Sequence, residues 1–543
     1  MDRAQNRIEN YHIRQLEKLG GFGGKSDQLN MYNVMAGDPN IINKDLTRYK
    51  AITAQDISEA AKLLGGNRVN LRVIPKFDYK PAGPSIDRNI QPEPASQISF
   101  EPPIPSRTKL GNGSELIIIE KKDLPIAQIG LFTDKGATSD PSAFPGLTKF
   151  SANMMVEGTN NKSGEEIASE LEFLGTRLSK EVSREHSFFS VDCLSKNIGQ
   201  SLHILAEVVK NPVFPEEDFN RLRNEHISEL TAQNDNPDFL ASTTFRGILY
   251  GRNSSHGHPI SGNIESVNKY NISTIREQYK SVILDSKHIF IATGDFDKND
   301  IIKQLDELFG APANAAHESH NDITNSLIDN VQKPTKIYIV DRPGAAQSVI
   351  RAGHLTLDRL HEDYYAMAFV NYVLGGDYSS RLNLNLRQDK GYSYGFYSSI
   401  DWAISPSLWS ARGSVQTGVT AESIKEIIDE IEGISSSNLV SREEFSKAKE
   451  GLIKGLPSQF ESNSQIMNQL INMAAFDLDV DYFKNMTSEL ENLTLEQVQN
   501  SAKRHINPEC ITVVIAGDRE IIEEPLSKLR HPVSIITSSD ATK

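Results

Sequence analysis

The 543-residue sequence predicts an α+β fold of repeated domains, each an antiparallel sheet packed against helices. Three observations lead there. Helical and strand-like patterns alternate within the same stretches. One composite pattern recurs three times, and each full unit is about 185 residues long. Two linker-like segments separate the recurrences. A chain of this length accommodates about three or four domains, and its 38% apolar content is enough to build their cores.

The recurring pattern is clearest at its end. Residues 53–75, 273–295 and 494–518 each carry a Ser or Thr, an amphipathic helical stretch, a short polar break and a β-branched run. Thr53 with Asp56, and Thr494 with Gln497, have the spacing of a capping box, in which side chain and backbone satisfy each other at a helix start. Runs such as Ile511–Ile515 have the composition of strands. Upstream of each tail lies a charged helical stretch: Asn6–Leu19, Glu216–Ala232 and Glu443–Lys454. The runs Glu115–Ile119 and Ile126–Thr133 read as strands. Gly164–Leu174 reads as a helix with Ile167, Leu171 and Leu174 on one face.

The expected division follows. Residues 1–75 are the end of a domain whose front is absent, so the chain is expected to be N-terminally truncated. Residues 76–105 are a Pro-rich linker, stiff and extended. Residues 106–310 form one full domain, 311–335 a polar linker, 336–525 a second full domain, and 526–543 a tail.

Composition excludes several classes. A net charge of −15 argues against nucleic-acid binding, which needs clustered Lys and Arg. Two cysteines, Cys193 and Cys510, exclude a disulfide scaffold and a Cys-rich metal site. No apolar run is long enough to span a membrane as a helix. No secretory h-region is visible at the N-terminus.

Several motifs invite chemistry and fail on spacing. Gly20–Ser26, GGFGGKS, lacks a Gly at the first position of a phosphate loop and follows a helix rather than a strand, so it reads as a helix-ending glycine turn. His256 and His258 flank Gly257 in a loop with no acid in zinc-site spacing. His317 and His320 sit in the polar linker. His203 and Glu207 share a helix face.

The stretch Asp134–Thr159, DKGATSDPSAFPGLTKFSANMMVEGT, resembles the active-site segment of the pitrilysin/insulinase family of zinc peptidases. The turn Gly136–Pro141, the helix start Gly146–Leu147 and the ending Met154–Thr159 carry the likeness. The family's helix bears His-x-x-Glu-His, in which two histidines bind zinc and the Glu acts on the metal-bound water. The matching positions here are Lys149, Ala152 and Asn153, a degenerate motif. The family's third zinc ligand matches Glu229, which alone is not expected to hold the metal. LRQDKGYSYG, Leu386–Gly395, resembles the family's substrate-clamping segment, with Arg387 and Tyr394 as the clamp. An Arg fork donates two hydrogen bonds, and a Tyr hydroxyl stabilises a developing oxyanion.

The resemblance implies one half of a clamshell: a non-catalytic, substrate-binding half preceded by the end of another, with 76–105 as the hinge. This chain is then expected to bind no zinc itself. Zinc belongs to a catalytic half with His-x-x-Glu-His, in cis or in trans, and the substrate is a peptide or unfolded polypeptide. The alternative is a non-enzymatic structural or assembly subunit of the same fold, like core proteins of a respiratory complex. Bacterial relatives of this type imply a periplasmic location.

Overall fold

The computed structural model describes residues 1–65, 71, 100–310 and 334–541. Most of both expected linkers, the strand expected at the end of the first tail, and His317 and His320 lie outside the described residues. The chain divides into two compact units, Met1–Pro102 and Pro103–Lys543.

The described part of the first unit is helical: Asp2–Gln15, Lys25–Ala36, Ile42–Ala51 and Ala54–Lys62. The glycine run lies between two of these helices. Gly21 and Gly23 adopt φ of +76° and +78°, a left-handed turn that side chains other than glycine resist. Thr53 and Asp56 form the expected capping box.

The second unit holds two six-stranded sheets. The first comprises β1 (Ser106–Lys109), β2 (Glu115–Glu120), β3 (Ile126–Thr133), β4 (Arg177–Val182), β5 (Ser187–Leu194) and β6 (His288–Gly294), in the order β1-β2-β6-β3-β5-β4. The second comprises β7 (Lys336–Asp341), β8 (Gln347–Thr356), β9 (Ser393–Asp401), β10 (Ser407–Gln416), β11 (Thr512–Gly517) and β12 (Val533–Ile536), in the order β12-β7-β11-β8-β10-β9. Five strands match one for one, β2-β6-β3-β5-β4 against β7-β11-β8-β10-β9. The repeat seen in the sequence is therefore a repeat of topology.

Each sheet is antiparallel except where its returning strand inserts and, in the second sheet, at the edge strand β12. β6 runs parallel to β2, and β11 parallel to β7, because each arrives after a long helical excursion and slots between the first two strands of its repeat. The edge strand differs between the repeats. β1 precedes the first repeat and runs antiparallel to β2, whereas β12 follows the second and runs parallel to β7. The segment 526–543, expected as a tail, thus supplies a strand of the second sheet. The helix of the second tail is capped by Asn271 with Thr274.

Helices are exchanged between the repeats. Helix Pro237–Tyr250, from the first repeat's sequence, packs on β8 and β11. Leu240, Ala241, Phe245 and Leu249 share one core with Val340, Leu355, Val514 and Ala516. Helix Asn463–Ala475, from the second, packs on β3 and β6. Burial of each large apolar side chain in such a core contributes about 1.5–3 kcal/mol. No helix among the described residues is long and apolar enough to cross a membrane.

Candidate functional site

The degenerate motif occupies helix Leu147–Met154, and the turn before it is its anchor. Asp140 is buried. One of its carboxylate oxygens accepts from the Gly146 N–H at 2.7 Å, and the other accepts from the Thr148 N–H at 2.7 Å and the Thr148 hydroxyl at 2.6 Å. Gln278 Nε2 donates to the Thr148 hydroxyl at 2.7 Å. Burial pushes the Asp140 pKa up to about 6, while the donors from Thr148 and Gly146 pull the other way. Gly146 itself has φ +88°, and a Cβ there would meet Gly262 N at 2.5 Å, so the helix entry is closely packed as well as left-handed. The turn therefore has a structural duty independent of any metal: it fixes where the helix begins.

The chemistry on that helix does not fit zinc. Lys149 is half-buried and its Nζ donates to the Lys180 carbonyl at 3.4 Å, so the first ligand position carries a cation. Ala152 is fully buried in the core and offers no base. Asn153 is half-buried and supplies an amide in place of imidazole. Glu229, on helix Glu216–Gln233, is 70% exposed, and its ion-pair partner is His226 at 3.5 Å. His226 in turn packs beside Phe150 and bonds the Ser261 carbonyl at 2.8 Å. One ammonium, one methyl, one amide and one solvent-facing carboxylate do not make a tetrahedral N/O site.

The other pair comes together. Arg387 lies in the irregular helical turn Leu384–Asp389, and Tyr394 is the second residue of β9. The Arg387 guanidinium carbon sits 4.9 Å from the Tyr394 ring centroid and 4.8 Å from that of Tyr378. Two aromatic faces hold the guanidinium plane and leave its N–H edge for a ligand. Among the described residues, no carboxylate pairs with Arg387. Tyr394 is 90% exposed. Buried Asn383 ties the arrangement together: its Nδ2 donates to the Tyr378 carbonyl at 2.6 Å, and its Oδ1 accepts from the Phe396 N–H at 3.2 Å.

Tyr378 and Asn383 were not singled out from the sequence, because nothing in their spacing marks them. His256 and His258 are both buried in their loop. His256 Nε2 lies 3.0 Å from the Ser405 hydroxyl and 3.6 Å from Glu185, which is a contact between the repeats. A further cluster, His361, Asp363 and His505, brings ligand-type atoms within 4.8 Å. Its carboxylate is already taken by His505 at 2.6 Å and Arg504 at 2.9 Å.

Two family models match this chain. Residues 116–254 match the insulinase (peptidase family M16) model, and residues 269–452 match the peptidase M16 inactive domain. The chain belongs to the M16 family. M16 relatives include the "uncharacterized zinc protease YmxG" of Bacillus subtilis, 24% identical over 401 residues, covering 72% of this chain and 93% of that protein. The "non-peptidase homolog YmxG" of Helicobacter pylori is 23% identical over 412 residues, covering 75% and 92%. A solved peptidase M16 inactive domain from Pseudomonas fluorescens superposes with a TM-score of 0.69 at 22% identity, covering 76% of this chain and 98% of that one. Relatives named as zinc proteases agree with zinc as the M16 metal, while this chain's M16 helix lacks the donors to hold it.

Proposed function

We propose that this chain is the non-catalytic, substrate-binding half of an M16 zinc endopeptidase. It acts on peptides or unfolded polypeptides together with a half bearing His-x-x-Glu-His, which holds the zinc. The observation that carries this reading is the Arg387–Tyr394 pair, pre-positioned by Tyr378 and Asn383 with its polar edges free. A surface Arg kept only for solubility has no need of two aromatic faces and a buried amide behind it. The periplasm is the proposed compartment, on the family resemblance.

In this role Arg387 donates to the carbonyls of the bound backbone, and the Tyr394 hydroxyl donates to the oxygen that gains charge during hydrolysis. Removing such a donor costs roughly 10²–10³ in turnover. In the reconstituted enzyme, Arg387→Ala and Tyr394→Phe are expected to lower peptide hydrolysis by at least tenfold. Rates equal to wild type in both variants would remove the clamp assignment.

A second reading, a structural or assembly subunit, is favoured by the non-peptidase relative of Helicobacter pylori. It predicts a stable complex with partners that are not proteases and no affinity for peptides.

A further inference from the structure

Lys149, at the family's first zinc-ligand position, lines a pocket of about 340 Å³ with a different character. Lys149, Arg184 and Arg246 are its cationic side chains, with His258 and Gln233 among its other polar groups. Among the described residues, no carboxylate lines it. Two cations are anchored at its walls. Arg184 donates through Nη1 to the His256 and His258 carbonyls at 3.2 and 2.9 Å, and Arg246 donates to Asp401, just outside the lining. Each keeps further N–H groups. Lys149 makes a single long bond, so its ammonium has donors to spare.

The pocket also contains unsatisfied polar groups. His258 is 6% exposed; its Nε2 is buried with no hydrogen-bond partner, although its Nδ1 lies 3.4 Å from the Pro259 carbonyl. The buried Oε1 of Gln233 has no partner either. Burial, and then the Arg246 charge, act against the Arg184 charge, while Asp401 and Glu185 favour it. A planar anion with two oxygens supplies opposing charge for the cations and acceptors for Lys149 and the two forks.

We propose that this pocket is a carboxylate subsite, which takes an acidic side chain or the C-terminal carboxylate of a bound polypeptide. The inference rests on the substrate-binding reading and names its preference. Substitution of the zinc helix by Lys149 then has a positive role: the site exchanged a metal for an anion-binding charge. The Glu185 carboxylate does not compete, because it is held by the Ile404 N–H and Ser405 across the domain contact.

The test uses the full chain and fluorescein-labelled ten-residue peptides, each with one central residue varied. One carries Glu with an amidated C-terminus, one Gln with an amidated C-terminus, and one Gln with a free C-terminus. The Glu peptide or the free-terminus peptide is expected to bind at least tenfold more tightly than the amidated Gln peptide, and which of the two does so identifies the source of the carboxylate. Lys149→Glu is expected to abolish that preference. Lys149→Gln, which keeps a polar side chain but removes the charge, is expected to reduce the preference without affecting folding. Equal affinities for all three peptides, or a preference that survives Lys149→Glu, would overturn the subsite while leaving peptide binding intact. If no peptide binds, the substrate-binding reading fails, and a glutarate titration followed by NMR decides the pocket alone. Saturation that is lost in Lys149→Glu supports it, and no saturable shift overturns it.

Discussion

At the scale of single residues, Asp140 shows how a sequence can keep the outline of an active site without its chemistry. Its carboxylate accepts the first N–H groups of the helix and the Thr148 hydroxyl, and both of its oxygens are used. A negative charge at a helix start is favourable in itself, and buried donors left without an acceptor are costly. Asp140→Ala is expected to destabilise the protein by about 2–4 kcal/mol, read as a lower urea midpoint. Asp140→Asn, which keeps one acceptor, falls between the two. Lys149, three residues into the same helix, carries no such duty. Its substitution is expected to leave stability nearly unchanged while altering what the neighbouring pocket accepts.

Elements account for what the sequence could and could not reveal. The capping boxes at Thr53–Asp56 and Thr494–Gln497, the helix Gly164–Leu174 and the strand Ile126–Thr133 were legible because their signals lie within a few residues of chain. The mixed character of the sheets was not, because insertion of β6 and β11 beside the first strand of each repeat is decided by contacts more than a hundred residues apart. Nor was the role of 526–543, whose strand β12 is identifiable only once β7 offers an open edge. The clamp was half legible: Arg387 and Tyr394 stood out by resemblance, whereas Tyr378 and Asn383 reach the site through tertiary packing. The helix exchange was also hidden, since the apolar face of Pro237–Tyr250 does not announce which sheet it covers. Phe245, fully buried against the second sheet's core, measures that exchange. Phe245→Ala is expected to cost about 3–5 kcal/mol and to destabilise both repeats together, because the cavity opens where they are joined. Two separated unfolding transitions, with the second repeat unchanged, would show that the exchange does not couple them.

Taken as a whole, the second unit is two copies of one topology joined by exchanged helices and by polar contacts, of which Glu185 is the most revealing. Burial alone would raise its pKa, but its bonds to His256, Ile404 and Ser405 outweigh burial and hold it below the usual carboxylate range. A depressed folded-state pKa stabilises the fold above the unfolded value, near 4.3, and that contribution is lost as pH falls through the folded-state value. The stability difference between wild type and Glu185→Gln is therefore expected to be constant from about pH 5 upward and to shrink below about pH 4. A difference that grows on acidification would reverse the sign and the assignment.

The central claim is that this M16 chain binds substrate without cutting it. Zinc content and peptide hydrolysis of the purified chain alone, measured together after dialysis against zinc, test it most directly. The account predicts a folded protein with no tightly held zinc at the Lys149 helix and no hydrolysis until a His-x-x-Glu-His half is added. Hydrolysis by the chain alone, accompanied by one retained zinc per chain, would contradict it.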